Sequence, residues 1–172
     1  MAPLTVTPAP LDRFNAEPPE RAREALHACN AAPSFAGTVT DGRPYDSADA
    51  LVARAEAVSR GLPWSEVAVA LAAHPRIGDR VQGSSAEAAA SRREQSAMGT
   101  AEESVRAAIV AGNRDYEERF DHVFLIRAAG RSPQEMLAEL RRRLANDPAE
   151  ERAEVTEQLA QITGLRVRGL VS

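Results

Sequence analysis

Prolines punctuate this chain where helices begin, and one of them ends a helix. Pro18-Pro19, Pro63, Pro133 and Pro148 each precede an apolar pattern of helical period. Proline suits the first helical turn because the N–H it lacks has no partner there. Pro75 acts in the opposite sense. A residue before proline is pushed out of the α region, so a helix arriving at His74 stops there. Between these marks the pattern predicts helices over 11–16, from Pro19 to Asn30, and over 48–60 behind an Asp46-Ser47 cap with Gly61 as its stop. A further helix runs from Pro63 to the His74-Pro75 break. Ser84-Ser85 cap an alanine-rich helix, and Thr100-x-x-Glu103 is a capping-box pattern for the next. That helix reaches Gly112, or continues as a kinked segment to Phe120. Ser132-Pro133-x-Glu135 and Asp147-Pro148 start the last two. Residues 31–47, broken by Pro33, Gly37, Gly42 and Pro44, read as an irregular excursion. Residues 122–129 contain Val123-Phe124-Leu125-Ile126, a run short enough to be a buried strand or a helical segment.

Composition sides with helix. Alanine is abundant, aromatics make up 4% and β-branched runs are scarce. With 44% hydrophobic residues the chain has the material for a core. The links between helices are short and there is no internal repeat. The expected architecture is all-α: a single multi-helix domain over residues 11–172, behind a loose proline-bearing tail over 1–10.

Several function classes drop out. A net charge of −4 gives no electrostatic footing for nucleic acid. All 21 basic residues are arginine, so no lysine exists for a Schiff base or a Walker-type phosphate loop. The single cysteine, Cys29, rules out an intrachain disulfide and a cysteine-rich zinc site. His27 stands two residues from it and does not face it on a helix, so Cys29 reads as a small core residue. No apolar run approaches the roughly 20 residues of a membrane span. Residues 1–10 have no signal-peptide pattern. The expected location is cytoplasmic, with no membrane and no nucleic-acid partner.

The chemistry-bearing residues cluster around the break. His74 projects from a helix end, and an imidazole with an ordinary pKa near 6.5 serves acid or base work. On the following helix Ser91, Glu94 and Gln95 stand at i, i+3 and i+4, which puts a hydroxyl, a carboxyl and an amide on one side. Small neighbours (Ala88, Ala89, Ala90, Ala97) allow close approach of a ligand. On the last helix the stripe Val155, Leu159, Ile162 lands next on Arg166. An inward arginine either snorkels or anchors an anion with its fork. Arg141-Arg142-Arg143 reads as a solvated last turn, where positive charge suits the macrodipole. His122 reads as a packing or capping residue. There is no His-Glu-x-x-His, and no spacing asks for a metal.

Taken together, His74-Pro75-Arg76-Ile77-Gly78, Ser91-x-x-Glu94-Gln95, Asn113-x-x-Tyr116-x-x-x-Phe120 and Phe124-Leu125-Ile126 form a specific combination. Gly130-Arg131-Ser132, Arg143-Leu144-x-Asn146, Ile162-Thr163-x-Leu165-Arg166 and Arg43-Pro44-Tyr45 complete it. The chain resembles the 2-oxo-4-hydroxy-4-carboxy-5-ureidoimidazoline (OHCU) decarboxylases of urate breakdown, from about Phe14 to its end. Phe35 stands where that pattern expects a tryptophan. The resemblance implies an all-helical fold, a homodimer, a small ureidoimidazoline substrate and no cofactor. It implies His74 and Glu94 as catalytic residues. Pro75, Ser91, Gln95, Phe124, Ile126 and Arg166 are implied as substrate-binding residues. Two rival classes stay open on the residues alone. A helical scaffold predicts that His74, Glu94 and Arg166 do not converge; a metal-dependent hydrolase of a ureido compound predicts inactivation by chelators.

Overall fold

The computed structural model describes residues 7–78, 89–91 and 103–172. Its longest element is the last helix, and much of the chain packs along it. In chain order the helices are α1 (Pro10–Ala16), α2 (Pro19–Cys29), α3 (Phe35–Asp41), α4 (Ala48–Arg60), α5 (Trp64–Ala72), α6 (Glu103–Phe120), α7 (Pro133–Arg143) and α8 (Pro148–Leu170). Residues 89–91 are also helical. No strand occurs among the described residues, and the architecture is all-α as the sequence implies. None of the described helices is long and apolar enough to cross a membrane.

Local chemistry sets the helix starts. Ser47 Oγ accepts the Ala50 N–H at 3.0 Å and caps α4. A full capping box opens α7, Ser132 with Glu135, and another opens α8, Asp147 with Glu150. Asp121, just past α6, takes φ 61°, a left-handed conformation that aspartate tolerates better than most residues.

One expectation about helices is corrected. The stretch 31–47 is not simply irregular, because it contains α3. Phe35, Ala36, Val39 and Thr40 fall on one face of that helix and are buried, so tertiary burial orders seven residues that proline and glycine flank. Phe35 is 0% exposed, a core residue in this position. Of the two ends left open for the helix that begins near Glu103, α6 takes the further one and runs through Gly112 to Phe120. Gly112 is there for packing: a Cβ on it would lie 2.6 Å from Leu140 Cδ2, so its missing side chain lets α7 come close.

Among the described residues the buried side chains form two apolar clusters. One gathers α1 to α5 around α8, with Leu26, Phe35, Leu51, Leu71 and Leu159 at its centre. The other joins α6 to α7 through Ile109, Tyr116, Met136 and Leu140. Cys29 lies in the first cluster, 3% exposed, with Sγ near Ala25 O at 3.4 Å. A polar junction ties the first cluster together. Asn30 Nδ2 donates to Ser59 Oγ and to Thr163 Oγ1, linking the end of α2 to α4 and α8.

Between α6 and α7 the chain crosses from one cluster to the other. Leu125 belongs to the first, whereas Phe124, Ile126 and Ala128 belong to the second. This run is buried and forms neither strand nor helix. Its backbone bonds go to side chains of α7 and α8 instead of to a ladder. His122 packs by its ring against Trp64, Tyr116 and Phe120.

Candidate active site

A pocket opens where the two clusters meet. His74, Pro75 and Ile77 form one side, just past the end of α5. Ser91 and α8's Ile162 contribute as well, and Phe124, Leu125, Ile126 and Ala128 form a further wall. The loop after α5 is fixed in place. Asn113 Nδ2, on α6, donates to Ile77 O at 2.8 Å, and Arg76 pairs with Glu117 on the same helix. Gly78 then takes φ 92°, a conformation that favours glycine.

Three of the sequence-designated polar residues converge here. His74 is 8% exposed, Ser91 2% and Arg166 8%. Arg166 Nη2 donates to Ser91 Oγ at 3.2 Å. The helical stripe of α8 continues through Gly164, so Arg166 faces inward as its period implies. Arg168, two residues on, is exposed and pairs with Asp49. Burial depresses the pKa of His74 from 6.5 to about 3, and the nearby Arg166 charge adds to the effect. The imidazole is therefore neutral at ordinary pH and able to accept a proton or a hydrogen bond. Pro75, Phe124 and Ile126 line the same pocket. Glu94 and Gln95 lie outside the described residues.

A buried neutral imidazole and a guanidinium beside it suit an anionic substrate that must surrender a proton. The guanidinium attracts a carboxylate, and burial strengthens that attraction. Among the described residues no group of three or more His, Cys, Asp or Glu is placed to hold a metal ion.

The sequence reading misplaced one residue near this site. Arg143 is not on a solvated turn; its side chain is 1% exposed and is paired with Glu151, itself 0% exposed. Consecutive helical residues point in directions about 100° apart, so one member of a basic triplet can face inward while its neighbours face solvent. Arg141 and Arg142 are exposed, and Arg142 bridges Glu139 and Glu154. Arg143 instead reaches Leu125 O, on the pocket wall, at 2.8 Å. The Arg143-Leu144-x-Asn146 motif was visible in sequence, but its inward direction depends on the facing carboxylate of α8.

Known proteins resemble this chain in sequence and in fold. A curated 2-oxo-4-hydroxy-4-carboxy-5-ureidoimidazoline decarboxylase from Amia calva is 30% identical over 141 residues, covering 81% of this chain and 81% of that protein. A crystal structure of an OHCU decarboxylase in the presence of (S)-allantoin superposes with a TM-score of 0.74 at 25% identity, covering 87% of this chain and 97% of that one. The crystal structure of an (S)-allantoin synthase shares the fold, with a TM-score of 0.70 at 15% identity; the match covers 94% of this chain and 54% of that longer one. The sequence profile of OHCU decarboxylase matches residues 15–168, nearly the whole chain, and the chain belongs to that family.

Proposed function

We propose that this protein decarboxylates 2-oxo-4-hydroxy-4-carboxy-5-ureidoimidazoline to (S)-allantoin. The observation that carries the reading is a neutral, buried His74 that shares a pocket with Ser91, with Arg166 bonded to Ser91 beside it, in a chain of the OHCU decarboxylase family.

The substrate has a C=N bond beside the carbon that bears the carboxylate. When the C4–carboxylate bond breaks, its electron pair forms a C4=C5 double bond and the C=N π electrons move to nitrogen. Carbon dioxide leaves and an enol remains. Uptake of a proton by that nitrogen, loss of the 4-hydroxyl proton and delivery of a proton to one face of C5 complete the product. The molecule carries its own electron sink, so the protein's tasks are orientation, charge stabilisation and proton transfer.

His74 takes the 4-hydroxyl proton. Arg166 holds an anionic or carbonyl oxygen, with Ser91 holding the guanidinium in place and assisting. An anion beside Arg166 offsets its charge, which raises the basicity of His74 once substrate is bound. Pro75, Phe124 and Ile126 form the apolar walls that hold the ring. On sequence grounds Glu94 is a second catalytic group, and Gln95 binds ring or ureido N–H and C=O groups. The same reading makes residues 11–172 one catalytic domain, acting as a homodimer in the cytoplasm. Sedimentation of the purified chain tests the dimer.

The deciding experiment follows circular dichroism while urate is oxidised and hydrolysed to the unstable ureidoimidazoline in the presence of the protein. Rapid growth of an (S)-allantoin signal is expected. Slow racemic allantoin, as without protein, sinks the reading for a folded sample.

A further inference from the structure

We propose that the buried Arg143–Glu151 pair is a positioning device that holds the Phe124–Ala128 wall of the pocket in register with the reacting groups. The proposal rests on the decarboxylase reading for its kinetic consequence, though not for its structural one.

Arg143 donates from Nε and Nη2 to Glu151 Oε1 and from Nη1 to Leu125 O. Its guanidinium carbon also lies 4.6 Å from the centre of the Phe124 ring. Glu151 is saturated from the other side, accepting from the Tyr116 hydroxyl and, at 3.0 Å, from Asn146 Nδ2. One arm of the guanidinium is thus neutralised while the other holds a carbonyl of the wall. Two residues along, the Arg127 N–H donates to Gln158 Oε1 of α8 at 2.8 Å. Leu125 and Arg127 are thus each held by a side chain, one from α7 and one from α8.

A purely stabilising role explains this arrangement poorly. Replacing a buried ion pair by apolar groups of similar volume is often neutral or favourable. Apolar groups, however, cannot satisfy a buried carbonyl on a segment that has no ladder partner. What the pair supplies beyond packing is the fixed position of Leu125 and, through it, of Phe124 and Ile126.

The test compares Arg143→Met, Glu151→Leu and the double variant by thermal midpoint, steady-state kinetics and backbone amide exchange. Each single variant is expected to lose midpoint, because it leaves one buried charge uncompensated. The double variant is expected to recover most of the midpoint while KM stays raised on the order of 10-fold with kcat less affected, the signature of a displaced binding wall. Amide protection over 124–128 is expected to fall while the centres of α6 and α7 keep theirs. Recovery of KM together with midpoint overturns the proposal. If the double variant does not fold, Arg143→Lys decides. It keeps the charge but loses the fork, so it is expected to fold with raised KM, and wild-type kinetics in it overturn the proposal. An inactive wild-type protein counts against the decarboxylase reading alone. The exchange data then stand by themselves, and protection unchanged or lost equally everywhere overturns the positioning role.

Discussion

Arg166 and Ser91 are hydrogen-bonded partners, Nη2 to Oγ at 3.2 Å, although 75 positions separate them in the chain. The contact joins α8 to the helical residues 89–91 and places a positive charge at the edge of the pocket that contains His74. Four predictions follow from the surroundings of that contact and of the cores beside it.

Replacing His74 by alanine removes the proposed proton acceptor without disturbing a helix, because α5 ends at Ala72. Turnover is expected to fall on the order of 10²–10⁴ with the fold intact. Formation of (S)-allantoin followed by circular dichroism, with a far-ultraviolet spectrum as control, checks it. Near-normal turnover takes His74 out of the chemistry.

Arg166→Gln keeps a hydrogen-bond donor near Ser91 and removes the charge. The His74 pKa is expected to rise but to stay below 6.5, because burial is its larger cause. The value of kcat/KM is expected to fall about 10–100-fold, the scale of a lost charge-assisted hydrogen bond. Titration of the His74 ring by NMR separates the two effects. An unmoved pKa would mean that Arg166 does not act on the imidazole.

Acid should weaken the fold through His74. The folded protein holds this group's pKa at about 3, against 6.5 in the unfolded chain. Between those values the unfolded state binds the proton that the folded state refuses, and stability rises with pH wherever the unfolded state binds more protons. The contribution is therefore full above pH 6.5 and is lost progressively as pH falls towards about 3. Urea midpoints measured down the acid range should drop more steeply in the wild type than in His74→Gln. Parallel curves would contradict the depressed pKa.

Gly112→Ala sets two effects against each other. Alanine improves helix propensity by up to about 1 kcal/mol. Its Cβ, however, meets Leu140 Cδ2 at 2.6 Å, and Leu140 is 0% exposed. Overpacking a dense interior costs about 1–3 kcal/mol, so a net loss is expected. A raised thermal midpoint would show that Leu140 moves aside freely.

The sequence disclosed what local chemistry controls. Ser47, Ser132 and Pro148 mark helix starts through hydrogen bonds or backbone constraints within one turn, and the structure uses them so. The inward face of Arg166 was legible because α8 keeps its period from Val155 to Val167. What stayed hidden depends on distant partners. α3 is ordered by burial against other helices, and nothing within its seven residues announces it. Arg143 looks like its two neighbours until Glu151 is placed opposite it. The 124–128 run has strand-like residues, yet it is held by Arg143 and Gln158 instead of by a neighbouring strand. Pro75, Phe124 and Ile126 were assigned by family resemblance, since apolar pocket walls and ordinary core residues have the same composition.

The 23 residues of α8 carry Glu151 near one end and Arg166 near the other. At 1.5 Å per residue these two positions are about 22 Å apart on a single rod. A one-residue insertion between them would turn Arg166 by about 100° relative to Glu151 and carry it off the pocket. The length of this stretch is thus a hereditary constant of the molecule: descendants can exchange side chains along its outer face, but they cannot add to or subtract from its count.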